Sequence, residues 1–200
     1  MFGKARFFAK KNLKIYSMKA LFLDHDGVIC LSSEWGGRYK KKGFDSNPET
    51  PMDIRMDSFN AKAVKILNQI VEETGCEIII SSDWKKHGTL EQLIEMYITR
   101  GIKPPIDVTP FYTKLAVEQK LPKNLIVPHF DSLGFERHIE ILHWLKEHPE
   151  VTHWVAVDDI DMTLSDGWGL ENFVHCKRPY NEGIKQSGLK DKILKFLKDE

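Results

Sequence analysis

Short apolar runs alternate along this chain with stretches in which apolar residues recur every three or four positions. Residues 19–23 (KALFL), 77–80 (EIII) and 152–157 (THWVAV) are nearly unbroken apolar runs. Such runs predict strands covered on both faces, since a half-exposed strand alternates apolar with polar side chains. Shorter strands are predicted over 106–108 and 172–175. Between them the spacing predicts helices. The first covers 58–74, with Ser58 as its cap, one stripe formed by Phe59, Ala63, Val64, Leu67, Ile70 and Val71, and Gly75 just past its end. The second covers 89–100, opened by a capping box of Thr89 and Gln92 and closed by Gly101. A third over 135–148 carries Ile139, Leu142 and Leu145 on one face, and a last one covers 189–197. Strands alternating with helices define an α/β fold, a mostly parallel sheet with crossover helices on both faces.

Two regions break the alternation. Residues 30–56 and 110–133, the latter punctuated by Pro110, Pro122 and Pro128, are polar and longer than most connections, so they are expected to be functional or mobile loop insertions. About 30 residues separate Gly27 from the first helix, too few for a large cap domain with its own core. Residues 1–17 stand apart as a basic arm: Lys4, Arg6, Lys10, Lys11 and Lys14 occur without an acidic residue. This arm reads as a leader or appended arm, with a weak surface contact or organelle targeting as the alternatives. The remainder, 18–200, reads as one domain.

The chain has 200 residues, 29 basic and 29 acidic. That balance excludes a polycation that grips nucleic acid by net charge, though not a local basic groove. No run approaches the roughly 18 apolar residues of a membrane span. The three cysteines, Cys30, Cys76 and Cys176, are odd in number and far apart. They point to a reducing, cytoplasmic setting and away from a disulfide scaffold.

Chemistry concentrates where apolar runs end. The first ends in Asp24-His25-Asp26-Gly27, the second in Ser81-Ser82-Asp83, the third in Asp158-Asp159. In an open parallel sheet, ligands bind beyond the carboxyl ends of the strands. If these strands are neighbours, the acids converge on one crevice, where they repel one another unless a cation intervenes. Magnesium suits such hard oxygen donors. Alternation along an extended segment sends Asp24 and Asp26 to one side and His25 to the other. One carboxylate then attacks phosphorus while its partner handles the leaving-group proton. Gly27 lets the chain turn and keeps the approach open. Ser81 binds a phosphoryl oxygen, with Ser82 and Lys85 as further substrate contacts. A second positive charge is needed for a transferring phosphoryl group. Arg137 is the first candidate; Lys85 and Lys86 are its rivals.

The order hhhhDxDG (20–27), hhhS (78–81), a basic residue at 137 and hhhDD (155–159) resembles the haloacid dehalogenase (HAD) superfamily. The segments 68–86, 106–110 and 136–162 look like the HAD domain of RNA-repair ("Swiss Army Knife") proteins. The resemblance covers roughly residues 18–197 and implies a Rossmann-like HAD fold with a magnesium-dependent, aspartyl-phosphate mechanism. It makes Asp24 the nucleophile and Asp26 the general acid and later base. Ser81 positions the phosphate, and Arg137 stands where the family has Lys or Arg. Asp159 binds magnesium beside Asp24 and the Asp26 carbonyl, with Asp158 as ligand or orienter.

The function expected is therefore a phosphomonoesterase acting on a nucleotide or a nucleic-acid end, and by analogy with that family on a 3′-phosphate. The alternatives are a phosphoprotein or small-metabolite phosphatase of the same fold, or a non-catalytic phosphate-binding or signalling module. A phospho-receiver carries its acidic pair on the first strand and the accepting Asp on a later one, the reverse of the order here. Trp35, Tyr39 and Lys40-Lys41-Lys42 fall in the first insertion, where a basic aromatic flap over the site or a solvated loop fits equally. Trp84 either stacks on a base or packs against the following helix. His138, His143, His148 and His153 recur every five residues, about 500° of helical rotation, and so do not share a zinc-binding face.

Overall fold

The fold is a single parallel sheet between two layers of helix, and each face of the sheet has its own apolar cluster. The computed structural model of the protein describes residues 17–31, 59–118, 120, 132–163, 170–177 and 181–198. In chain order these form β1 (Met18–Leu23), α1 (Ala61–Thr74), β2 (Glu77–Ile80), α2 (Leu90–Thr99), β3 (Asp107–Val108) and α3 (Tyr112–Val117). They continue with α4 (Ser132–Glu147), β4 (Val151–Asp158), β5 (Phe173–His175) and α5 (Leu189–Leu197). Short 3-10 turns lie at Asp83–Lys86 and Gly183–Lys185. The strands run parallel in the order β3-β2-β1-β4-β5.

Alternate residues of the central strands feed the two faces. Leu21, Leu23, Ile78, Ile80, Val155 and Val157 pack with Ala63 and Leu67 of α1, Leu93 and Tyr97 of α2, and Ile193 and Leu197 of α5. Ala20, Phe22, Ile79 and Ala156 face the other way, against Ile141 and Trp144 of α4. Phe22 meets Trp144 edge to face at 5.3 Å. Burial on both faces is why these strands read as continuous apolar runs.

Local signals place the helices, with differences in detail. α1 starts at Ala61, and its cap is Asn60, whose Oδ1 accepts from the Lys62 and Ala63 amides at 3.1 Å. Ser58, the expected cap, lies outside the described residues. Gly75 ends the helix at φ 68°, the left-handed position expected of it. The Thr89–Gln92 capping box is formed in both directions. Within 110–133, where a loop is expected, residues 112–117 form α3, and residues 121–131 lie outside the described residues. α4 begins at Ser132, earlier than the pattern predicts. Its inward face also differs: Leu142 is 43% exposed, while Arg137, His138, Glu140, Ile141 and Trp144 are buried. Polar side chains turn inward on this helix because it covers the acidic ends of the strands. The basic arm and the aromatic-lysine stretch at 35–42 also lie outside the described residues. Among the described residues, no helix is long and apolar enough to cross a membrane.

The chain builds the sheet outward from β1 through β2 to β3, then returns to the other side of β1 for β4 and β5. The strand order thus reverses beside β1. Ligand sites in open α/β sheets lie at such a switch point, beyond the strands' carboxyl ends.

Candidate active site

Register brings the three strand ends level. Leu23 pairs with Ile80 on one side and Val157 on the other. The next residues, Asp24, Ser81 and Asp158, therefore lie abreast, tied by Asp24 N–H to the Val157 carbonyl (3.1 Å) and Ser81 N–H to the Leu23 carbonyl (3.0 Å). Since Leu23, Ile80 and Val157 face the α1 layer, one further step of alternation turns these three toward α4. Arg137 of α4 meets them there. Its Nη1 donates to Asp24 Oδ1 at 3.0 Å, to Asp158 Oδ2 at 2.8 Å and to the Ser81 carbonyl. Nη2 stands 3.7 Å from Asp83.

The electrostatics are lopsided. One carboxylate oxygen from each of Asp24, Asp158 and Asp159 lies within 4.8 Å of the others. Burial raises the Asp24 carboxyl above its ordinary value against the pull of Arg137 and of a Ser82 hydrogen bond. Asp158 is pushed up further, first by burial and then by the charge of Asp24. Burial opposes the Arg137 charge as well, but Asp158 and Asp24 outweigh it and raise the guanidinium above its usual value. Burial and the neighbouring acids also raise the Cys176 thiol. A single guanidinium facing three carboxyls leaves negative charge in excess. A divalent ion with hard oxygen ligands fits that donor set, so the residues present suit magnesium.

The turn after β1 is wound tightly: the His25 carbonyl accepts from the amides of Val28, Ile29 and Cys30 at 3.2, 3.0 and 2.8 Å. Gly27 sits in it at φ 77°, and a Cβ there would lie 2.3 Å from Asp159 Oδ2. Glycine thus serves two needs at once, a left-handed turn and the close approach of Asp159. His25 points the other way, as alternation predicts, with Nε2 2.9 Å from the Tyr97 hydroxyl. Burial, aided by the charge of Arg137, holds its pKa down to about 3, so the ring is neutral.

The remaining predicted residues divide by their partners. Ser81 is buried, and its Oγ has no hydrogen-bond partner among the described residues. The Ser82 side chain accepts from the Trp84 amide at 3.4 Å and hydrogen-bonds Asp24. Lys85 is buried, and its ammonium meets Glu140 Oε2 (2.5 Å), Thr109 Oγ1 (2.8 Å) and the Pro110 carbonyl (3.2 Å). Those three acceptors match its three protons. Lys86 pairs with Asp83 at 2.9 Å, both largely exposed. Arg137, not either lysine, therefore touches the acids. The Asp26 carboxylate stands apart from the three-carboxylate group and accepts from Trp84 Nε1 at 3.2 Å. Trp84 is 3% exposed with its face on His25, so base stacking is not open to it.

Three contributors escape a sequence reading. Glu140 ties Lys85, Thr109 and the Tyr112 amide (2.8 Å, to Oε1) onto α4, one turn from Arg137. Its signal is a charge at i+3 from a functional residue on a helix's inward face. His175 of β5 lies 3.1 Å from the Asp159 carbonyl and 3.7 Å from Asp161 Oδ2, steadying the acidic turn. Trp84, visible in the sequence as an aromatic after the second motif, gives no hint there that Asp26 is its partner.

The switch point beside β1, its level Asp-Ser-Asp row and the covering arginine define a HAD-type α/β protein. Residues 20–187 match the model for the HAD domain in Swiss Army Knife RNA repair proteins, and the chain belongs to that family. Membership supports a HAD-type phosphohydrolase in general terms. No curated protein and no solved structure matches the chain.

Proposed function

We propose that the protein is a magnesium-dependent phosphomonoesterase that forms an aspartyl-phosphate on Asp24 and acts on a nucleotide or nucleic-acid end phosphate. The observation that carries this reading is the sharing of Arg137 between Asp24 and Asp158 at the switch point, with Asp159 in reach and the Ser81 hydroxyl beside them unpartnered among the described residues. Asp24, Asp158 and Asp159 would hold the ion, together with the Asp26 carbonyl. When bound, it neutralises phosphate charge and lets an anionic nucleophile approach an anionic ester.

The chain's own residues account for the remaining steps. Ser81 Oγ donates to a phosphoryl oxygen, and Arg137 orients Asp24 and offsets its charge. An Asp24 oxygen forms a bond to phosphorus as the bond to the ester oxygen breaks, and Asp26 gives that oxygen its proton. Asp26, now ionised, takes a proton from water as the water oxygen bonds to phosphorus. The Asp24–phosphorus bond then breaks, releasing inorganic phosphate and restoring both residues. An alkoxide leaving group needs the Asp26 proton, which favours ester hydrolysis over halide displacement. The nucleic-acid end is suggested by the family's description as a domain of RNA repair proteins.

The test is phosphate release from p-nitrophenyl phosphate, nucleotides and 3′-phosphorylated oligonucleotides, with and without magnesium, for the protein and for Asp24→Asn. Magnesium-dependent release abolished by the substitution is expected, with oligonucleotides or nucleotides preferred. Activity surviving in Asp24→Asn would remove the nucleophile assignment.

A further inference from the structure

The Asp26 carboxylate is held by a group with no part in the cation cluster. Trp84 Nε1 donates to Asp26 Oδ2 at 3.2 Å. The indole lies flat on His25, with ring centroids 4.3 Å apart and planes 1° from parallel. Phe59 abuts it edge-on at 5.7 Å. His25 is itself fixed by Tyr97, and Phe59 meets both of those rings edge-on. At the backbone, Ser82 caps the 3-10 turn by accepting from the Trp84 amide. The direction of the indole N–H is thus set from the ring face, the ring edge and the main chain. A buried indole has one donor and no acceptor, and here that donor is given to Asp26.

We propose that Trp84 is a positioning residue for the acid–base work of Asp26. The proposal rests on the phosphomonoesterase reading and deepens it. An aspartate carboxylate turns about its terminal torsion through a broad, roughly two-fold range. A fixed donor on Oδ2 sets the plane of the group and so where its proton is delivered. Trp84 moves no proton itself. In the first half-reaction the Asp26 proton goes to the leaving oxygen while Asp24 bonds to phosphorus; in the second, Asp26 recovers a proton from water. A carboxyl whose plane is held less firmly meets the leaving oxygen in productive geometry less often, and small misplacements in catalytic geometry carry large penalties in rate.

The consequence depends on the leaving group. An aryl phosphate departs without much help from an acid, whereas an alkyl phosphate needs its oxygen protonated as the bond breaks. The value of kcat/KM reports the steps up to formation of the aspartyl-phosphate, so it isolates this role. Trp84→Phe keeps a ring against His25 and removes the donor. It is expected to lower kcat/KM for glycerol 2-phosphate about tenfold more than for p-nitrophenyl phosphate, a fraction of the ~100-fold or more that acid catalysis contributes. Asp26→Asn serves as the reference and is expected to show a larger bias in the same direction. Equal losses on both substrates in Trp84→Phe, alongside a leaving-group bias in Asp26→Asn, would overturn the role of Trp84 and leave the acid assignment standing. Absence of bias in Asp26→Asn would overturn the acid assignment, and the Trp84 role with it. If Trp84→Phe does not unfold cooperatively, benzothienylalanine at position 84, isosteric with Trp but lacking the N–H, is read by the same ratio.

Discussion

Arg137 and Asp24 are 113 positions apart in the chain and meet at 3.0 Å, Nη1 to Oδ1, with 7% and 6% of their side chains exposed. The same nitrogen reaches Asp158. Helix α4 thereby covers the acidic row with a buried positive charge.

Removing that charge leaves two buried carboxyls uncompensated. Arg137→Ala is expected to lose about 3–5 kcal/mol of stability in urea unfolding, the usual cost of breaking a buried pair on one side. Phosphatase kcat should fall by about 10²–10³, the scale of losing one preorganised donor. Arg137→Lys keeps the charge without the planar fork and should fall between the two. Unchanged stability in Arg137→Ala would mean that the pair is not buried as described.

Lys85 and Glu140 form a second buried pair, with 2% and 9% of their side chains exposed. Burial lowers the Lys85 pKa from its ordinary value, against the pull of Glu140. Lys85→Met and Glu140→Gln should each destabilise by about 3 kcal/mol, since each strands a partner. The double variant should lose much less than the sum. Urea unfolding of the four proteins checks this, and additive losses would count against the pairing.

Gly27 stands against Asp159. Gly27→Ala sets a Cβ at a left-handed φ and 2.3 Å from Asp159 Oδ2, so the carboxylate must move. The backbone strain costs about 1–2 kcal/mol. The larger effect should fall on the magnesium concentration giving half-maximal activity, raised at least about tenfold, as read from a magnesium titration of the rate. An unaltered midpoint would place Asp159 outside the ion site.

His138 is buried, its Nδ1 has no hydrogen-bond partner among the described residues, and burial lowers its pKa below 6.5. The unfolded chain therefore takes up this proton more readily than the fold. The contribution to stability is full above pH 6.5 and is lost as pH falls below it. His138→Gln should flatten the fall in stability between pH 7 and pH 5 measured by urea unfolding. An identical slope would mean that the ring ionises as freely in the fold as in solution.

Much of the site is legible in the sequence because its motifs are local. An apolar run that stops at Asp or Ser marks a strand end, and Gly27 marks the turn after it. Which strands stand side by side is a long-range property, so the level row of Asp24, Ser81 and Asp158 emerges only from the register. The sequence favours Arg137 by its place at the start of a helix, but holds no physical ground for excluding Lys85. What separates them is Glu140, which takes up the Lys85 ammonium. The periodicity of α4 misleads because Arg137 and Glu140 occupy inward positions that apolar residues fill in an ordinary amphipathic helix, while Leu142 faces out. Helix α3 is hidden for a different reason. It is six residues long, and Phe111 at its start makes no side-chain cap, so neither periodicity nor punctuation announces it.

The central claim, that Asp24 captures phosphorus, is tested most directly by trapping the intermediate. The protein is quenched during turnover of p-nitrophenyl phosphate with magnesium, reduced with borohydride and mapped by peptide mass spectrometry. Reduction of an aspartyl-phosphate yields homoserine, which is predicted at position 24 and to be absent when substrate is omitted. Homoserine at another aspartate, or an unmodified position 24 in a protein caught turning over, would contradict it.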